Sequence, residues 1–527
     1  MGTSHLAKVP GLLRRGREHR SRLCLMRIFI SLLTLIIAVG VVVTASLGIN
    51  SSVTLILTGV MGGFIAFILW PRKRSALVVL KLAGVSWSAE DFCRGWEIDG
   101  RTGSGKTASA VIPIIYQLKK YQATVGILAL DTKGDLSEPL TRIAHDLRCD
   151  DHLVQLEVRP ENASQDWRPA MTMNFLADRT VPYSTYAKLI VDVATAAGQR
   201  GGQAFFKVAS QTVIQNTFAA LDALNLPVTV PRCAEVIANI TKFKEIGSAL
   251  EELAKTKPAV APLVQFFFEF IKQPPEQLGG VRASVQNYLQ PYTAPDIAEV
   301  FCPEKPTFAL SEIDQGKLIS VKIPQKYQVE KKYIGLLLKT LFYLHALRRY
   351  DLSHDERASK NLIVMVLDEA QESVLVSEDG LSDHNVIDKI RGARATTINS
   401  TQSPTSYLPP MGGKDKADVF LLNLGNQIHF TAADKQAAEM IAESIGKRTI
   451  KKRTYGRSGS KSSMTWREEE EFWVKPHILR DLPKHVAVIK HCEKHFKRAR
   501  LSPTHFTLPA RKSPAASPTR NKNGKPW

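Results

Sequence analysis

Residues 28–71 form a run of forty-four positions without a single charge. Within it residues 28–47 are almost continuously apolar, residues 48–52 read as a turn, and residues 53–70 are apolar again. At 1.5 Å per residue either run can cross a hydrocarbon core about 30 Å thick, so the pattern predicts a transmembrane helical hairpin. Lys8, Arg14, Arg15, Arg17, Arg20, Arg22 and Arg27 precede the first run, and Arg72, Lys73 and Arg74 follow the second. Cations on both flanks place both ends in the cytoplasm and leave only a few residues for the far side. Residues 43–45 resemble a signal-peptidase site, but the apolar run is too long for a signal peptide and a second run follows it.

From residue 76 the pattern changes to short apolar runs separated by helical periodicity. Strands are predicted over 95–98, 124–130, 318–323, 361–367, 395–401, 427–431 and 485–490, with helices over 106–120, 331–350 and 434–445. That alternation predicts a parallel α/β sheet. Residues 178–298 interrupt it, because helices over 183–197, 204–223, 233–255 and 262–271 follow one another without strands. An all-alpha domain inserted into the α/β domain is the expectation. The chain therefore divides into a basic cytoplasmic N-terminus (1–27), the two-span hairpin (28–71), and a nucleotide-binding domain in two parts (76–177 and 299–500). The all-alpha insertion (178–298) separates those parts, and a basic tail (501–527) ends the chain. The tail is rich in Pro, Ser, Lys and Arg and cannot bury a core, so it is predicted disordered.

Length agrees with this division, since 527 residues exceed what one hydrophobic core usually serves. The six cysteines, Cys24, Cys93, Cys149, Cys233, Cys302 and Cys492, show no C-x-x-C spacing. They exclude a disulfide scaffold and a zinc ribbon and fit a reducing compartment. His491, Cys492 and His495 lack a second ligand pair, so a solvated strand end is expected there rather than a metal site. Charge is unevenly spread. Residues 1–74 hold ten Lys/Arg against one acid, Glu18, and residues 497–527 hold eight against none, so only +3 of the net +20 is left for the core. The two flanks, not the core, are built to seek anionic lipid headgroups or nucleic acid.

Candidate chemistry begins at Gly100-Arg101-Thr102-Gly103-Ser104-Gly105-Lys106-Thr107, which satisfies G-x-x-x-x-G-K-[ST] at every defined position. Glycines permit the positive φ that turns backbone N–H groups toward phosphates. Lys106 adds a point charge at the β- and γ-phosphates, and Thr107 offers a hydroxyl to Mg²⁺. The following helix presents its positive N-terminal dipole to the same groups. The run of β-formers from Asn361 ends in Asp368 and Glu369. Asp368 is placed to hold Mg²⁺ through a water and Glu369 to polarise the attacking water; alone, such a pair could equally be a solvated helix cap. Gln402 ends the next predicted strand, as a γ-phosphate sensor or as a satisfied surface glutamine. Arg391, with Arg394 as alternate, could reach a neighbouring subunit's phosphate or simply be solvated. Asp131-Thr132-Lys133-Gly134-Asp135 could assist the metal or the nucleotide, or form a charged turn.

Taken together, the paired spans, Gly100–Thr107, the Asp131–Asp135 segment, the helical insertion, Leu367-Asp368-Glu369-Ala370 and Ser400-Thr401-Gln402-Ser403 resemble the type IV coupling proteins of the TraG/TraD class. Asn426–Phe430 and Ala438–Gly446 are also similar to the stretch that follows that family's sensor strand. The resemblance covers roughly residues 28–490. It implies a RecA-like P-loop NTPase domain that hydrolyses ATP with Mg²⁺, assembles as a homohexamer, and has Arg391 at the position of a trans-acting finger. It further implies a multi-pass protein of the bacterial inner membrane, with its bulk in the cytoplasm. Such a protein would pump single-stranded DNA with bound relaxase into the components of a secretion channel. Two departures stand out: the extracytoplasmic loop is much shorter than in many members, and the tail is basic where some carry an acidic recognition tail. The competing readings are an FtsK-like DNA pump, a protein-secretion ATPase, and a membrane scaffold that uses nucleotide only as a switch. The acid pair Asp368–Glu369 disfavours the switch.

Overall fold

The computed structural model describes residues 78–198, 204–377, 380–458 and 461–504. The predicted membrane hairpin, the basic N-terminus and nearly all of the tail lie outside the described residues. Among the described residues no helix is long and apolar enough to cross a membrane.

A hairpin of β1 (Val78–Leu82) and β2 (Val85–Ser88) leads into β3 (Trp96–Asp99), β4 (Gly126–Asp131) and β5 (Leu153–Glu157). After the helical insertion come β6 (Leu318–Lys322), β7 (Ile363–Asp368), β8 (Ala395–Thr401) and β9 (Asn426–His429). A ribbon of β10 (Lys447–Ser458) and β11 (Lys461–Phe472) precedes β12 (Val486–His491) and β13 (Lys494–Arg500). Nine of these strands make one sheet in the order β13-β12-β9-β3-β8-β7-β4-β6-β5. The strands from β9 to β5 are mutually parallel, while β12 is antiparallel to β9 and β13 to β12. The expected parallel sheet is thus a mixed one with an antiparallel edge. The central strands β4, β7 and β8 are buried at every position because both faces are covered.

Helices α1 (Ile112–Tyr121) and α2 (Ser137–Asp146) pack on one face. The insertion then runs as α3 (Tyr183–Ala197), α4 (Ala204–Ala223), α5 (Val230–Ala238), α6 (Ile240–Ala254), α7 (Ala261–Ile271), α8 (Pro275–Leu289) and α9 (Pro295–Phe301). The helix expected over 233–255 is two, because Asn239 leaves the helical region and caps α6 by accepting from the N–H groups of Thr241 and Lys242. Helix α8, which contains Gly279 and Gly280, was not among the predicted helices. Its backbone packs so closely that a Cβ on Gly280 would lie 2.6 Å from the Phe206 ring.

Strand β5 and the β10–β11 ribbon were also unpredicted. β5 alternates only between buried and half-buried positions, and the ribbon carries charge on both faces, so neither shows the hydrophobic alternation that marks a strand. The expectation for His491 is corrected. It is not solvated but 2 % exposed, with its ring stacked at 5.0 Å on Trp87. Trp87 in turn donates to Asn426 Oδ1 at 2.8 Å. No group of metal-ligating side chains occurs among the described residues.

Helix α10 (Gln328–Arg348) returns from β6 to the start of β7, and α11 (Asp383–Gly392) leads into β8. They are joined by an ion pair between Lys339 and Asp383 at 2.7 Å, both side chains at most 2 % exposed. Tyr343 donates to the other Asp383 oxygen at 2.8 Å, Leu375 N–H donates to Oδ2 at 2.9 Å, and Lys339 also donates to the Ser373 carbonyl. One buried charge therefore ties α10, the loop after β7 and α11 together. Asp383→Ala leaves the Lys339 ammonium buried and unpaired, which should cost about 3–5 kcal/mol. Chemical denaturation of the variant, compared with wild type, measures it.

Candidate nucleotide site

The loop 100–106 leaves the carboxyl end of β3 and enters a single π-helical turn, Thr107–Val111, that continues as α1. Two of its glycines have no substitute. Gly100 (φ +149°) lies so close to Phe430 that a Cβ would sit 2.6 Å from the Phe430 Cβ, and a Cβ on Gly105 (φ +103°) would sit 2.5 Å from His485 Nδ1. The loop is clamped from outside itself. Arg101 N–H donates to the Thr431 carbonyl at 2.8 Å, Phe430 N–H to Asp99 at 2.9 Å, and His485 N–H to Ser104 at 3.0 Å. Ser109 Oγ and His485 Nδ1 are 2.7 Å apart. His485 itself has a left-handed backbone (φ +65°).

Parallel strands bring the other expected residues to the same edge. Asp131 of β4 is in register with Asp368 of β7, and β8 lies between β3 and β7 with Gln402 immediately after it. Residues 102–108, Lys133, Asp368, Glu369, Lys484 and His485 line one cleft of about 330 Å³. Lys106 Nζ donates to the Gly100 carbonyl. Glu369, in a left-handed conformation (φ +51°), pairs with Lys133 at 2.6 Å and accepts from Gln371 at 3.0 Å and from Gln402 at 3.5 Å. Asp131 accepts from the N–H groups of Lys133 and Leu136, at 2.8 and 2.7 Å, and so builds the turn that aims Lys133 at Glu369. Of the two alternatives for this segment, Asp131 forms the turn, while Lys133 enters the site. Lys484 and His485 were not singled out as site residues; they carry no motif and arrive just before β12.

Burial alone would raise the Glu369 carboxyl. The hydrogen bonds from Gln371 and Lys133 and the Lys133 charge outweigh it and hold the group below its ordinary range. Asp368 is pushed the other way by burial and by the Asp131 charge. Burial lowers Lys106, opposed by Glu369, Asp368 and Asp99. The cleft therefore holds an ionised base candidate, a second acid suited to a cation, and a partly desolvated ammonium. Ser104 Oγ is buried without a hydrogen-bond partner among the described residues. A phosphate group with its divalent cation fits that donor set.

Arg391 and Arg394 are not in this cleft. Both precede the amino end of β8, whereas Gln402 follows its carboxyl end, and seven residues at about 3.3 Å each separate the two edges by roughly 20 Å. Arg391 lies 3.5 Å from Glu90 with its side chain 40 % exposed, and Arg394 donates to the Ala358 carbonyl.

Residues 87–501 match the family described as Type IV secretory system Conjugative DNA transfer. The chain belongs to that family. This coupling-protein family member is similar in fold to the bacterial conjugative coupling protein TrwB in its unbound form. The TM-score is 0.59 at 14 % identity, over 83 % of this chain and 91 % of that one. It is also similar to TrwB in complex with ADP and Mg²⁺ (TM-score 0.58, 13 % identity, 83 % and 92 % covered). For TrwB with the non-hydrolysable ATP analogue ADPNP the TM-score is 0.57, again at 13 % identity, with 83 % and 91 % covered. No curated protein matches the chain.

Beneath the P-loop the family member carries a buried polar seam. Glu97 and Asp99 project from the face of β3 opposite Trp96 and Ile98; Asp99 Oδ2 is 2.5 Å from His429 Nδ1, and Tyr407 donates to Glu97 at 3.0 Å. Burial, with the Asp99 charge beside it, holds the Glu97 carboxyl well above its ordinary value. A raised acid favours the fold fully at pH below its unfolded value near 4.5, and that contribution is lost as pH rises toward the folded value. Glu97→Gln keeps an acceptor for Tyr407 and cannot ionise. Its stability relative to wild type should therefore increase as pH is raised above about 4.5, as read from urea midpoints between pH 4.5 and 8. A constant difference across that range would show that Glu97 is ionised in the fold.

Proposed function

We propose that this chain is an inner-membrane ATPase whose cytoplasmic ring pumps single-stranded DNA, with bound relaxase, into a type IV secretion channel. The observation that carries the reading is the convergence of Lys106, Asp368 and Glu369 on one cleft, with Gln402 reaching Glu369 at 3.5 Å, in a member of the conjugative DNA transfer family. A binding switch has no need of an acid held ionised beside the phosphate site. The uncharged run 28–71, flanked by cations, supports the membrane location.

Bound ATP with Mg²⁺ supplies the phosphoanhydride that water cleaves. The P-loop N–H groups and Lys106 hold the phosphates, and Thr107 and Asp368 are the residues suited to the cation. Glu369 accepts hydrogen bonding from the attacking water and orients it. Lys133 and Gln371 fix that carboxylate, and Gln402 bridges it to the γ-phosphate position. Arg391 acts from a neighbouring subunit. A head-to-tail ring sets one end of a subunit against the opposite end of the next, and Arg391 is at the sheet edge opposite the cleft.

Lys106→Ala should lose binding of a fluorescent ATP analogue. Glu369→Gln should bind it and release phosphate at least about 10²-fold more slowly; wild-type turnover in Glu369→Gln would remove its role as base.

Arg391→Ala should bind normally and lose about 10³-fold in turnover. Mixing it with Lys106→Ala should restore part of the activity, because mixed rings pair an intact P-loop with an intact arginine. A mixture that stays inactive, with hetero-oligomers shown by pull-down, would rule out action in trans.

A further inference from the structure

The β10–β11 ribbon belongs to no other sheet, and its register is continuous over twelve pairs from Lys447↔Phe472 to Ser458↔Lys461. Its two halves differ in chemistry. The root half neutralises itself through Arg448–Glu471 at 3.8 Å, Lys451–Glu468 at 3.4 Å and Lys452–Glu469 at 2.6 Å. From Arg453 to Arg467 there are four cations, Arg453, Arg457, Lys461 and Arg467, and no acid. This short segment carries more net charge than the +3 of the whole core between residues 75 and 496. At the root two register pairs, Arg448↔Glu471 and Lys451↔Glu468, match opposite charges, whereas Lys452 faces Arg467, so cations gather where the acids end.

Apolar side chains accompany those cations. Trp466 is 49 % exposed and Met464, two residues before it and hence on the same face, is 53 % exposed. Arg453 pairs directly opposite Trp466 and lays its guanidinium over the indole at 4.4 Å from the ring centre. A free two-stranded ribbon gains nothing from an exposed indole, since no core receives it. An exposed aromatic ring in a segment that carries cations and no acid is the arrangement that receives single-stranded nucleic acid: bases stack on the ring, and the backbone follows the charge.

We infer that the β10–β11 ribbon is a single-stranded DNA contact, with Trp466 stacking on a base and Arg453 meeting the adjacent phosphate. The inference rests on DNA being the cargo proposed above. It places a contact outside the nucleotide cleft, on a projection rooted where α12 (Lys435–Ile445) ends.

The test uses the full chain and a fluorescein-labelled 40-nucleotide oligothymidylate, with anisotropy read across a sodium chloride series. Trp466→Ala should weaken binding about ten-fold and Trp466→Phe should keep most of it, as a stacking role requires. Arg453→Gln should lower the slope of log K against log salt by about 0.7, one phosphate contact on a single strand. Wild-type binding with all three variants unchanged overturns the ribbon contact and leaves DNA as cargo. Absence of oligonucleotide binding by the wild-type chain overturns the cargo reading itself. Tighter binding of a duplex of the same length overturns the single-strand assignment. Unchanged oligonucleotide affinity in Trp466→Ala also overturns the contact. If that variant at the same time loses co-sedimentation with phosphatidylglycerol vesicles, the ribbon is a membrane-surface device; if it loses self-association, the ribbon is a contact between copies.

Discussion

Parallel strands cannot be joined by hairpins, and this one constraint organises the molecule. Each connection between β3, β4, β5, β6, β7, β8 and β9 must leave at one edge of the sheet and return to the other. All carboxyl ends therefore meet at a single edge, where Gly100–Thr107, Asp131, Asp368, Glu369 and Gln402 are neighbours although hundreds of residues separate them. The helical insertion obeys the same rule. It is an enlarged crossover, leaving after β5 and returning to β6, and those two strands still pair in parallel register from Leu153↔Leu318 to Glu157↔Lys322. Nearly all of the inserted helical core is built without disturbing the strands that carry the site.

The edge also concentrates charge, and the protein manages it by pairing. Asp131 and Asp368 lie side by side at the ends of β4 and β7, and the Asp131 carboxylate is spent on backbone N–H groups. Lys133 answers Glu369, and His429 answers Asp99. Glu97 has no cation in contact among the described residues, and burial, with the Asp99 charge beside it, raises its carboxyl well above the ordinary value. A row of carboxyl groups so close together is tolerable only when each has a different partner or a different protonation state.

The fold persists at 13–14 % identity to TrwB over more than four-fifths of this chain. Such divergence is possible because the sheet needs only apolar strand interiors and a small number of fixed positions at its edge. Gly100 and Gly105 are among those positions, since Phe430 and His485 occupy the space where a side chain would begin. Surface features are free to differ, and the ribbon, which pairs with no strand of the main sheet, is such a feature.

How much was legible in the sequence depends on the range of the interaction that encodes each part. The P-loop, the apolar run ending in Asp368 and Glu369, the strand ending at Gln402 and the helices Tyr183–Ala197 and Ala204–Ala223 were readable because each is a contiguous pattern. Its period or spacing is set by local backbone geometry. What only the tertiary structure decided is of another kind. His485 fills the space beside Gly105, Lys133 turns onto Glu369, Lys339 is buried against Asp383, and Trp87 bonds to Asn426 across 339 positions of chain. The ribbon escaped for a related reason: it has no apolar face, and charge on both faces has no period. Side-chain partners far apart in sequence leave no local signature, because the energy that joins them exists only once the sheet has brought their strands to the same edge.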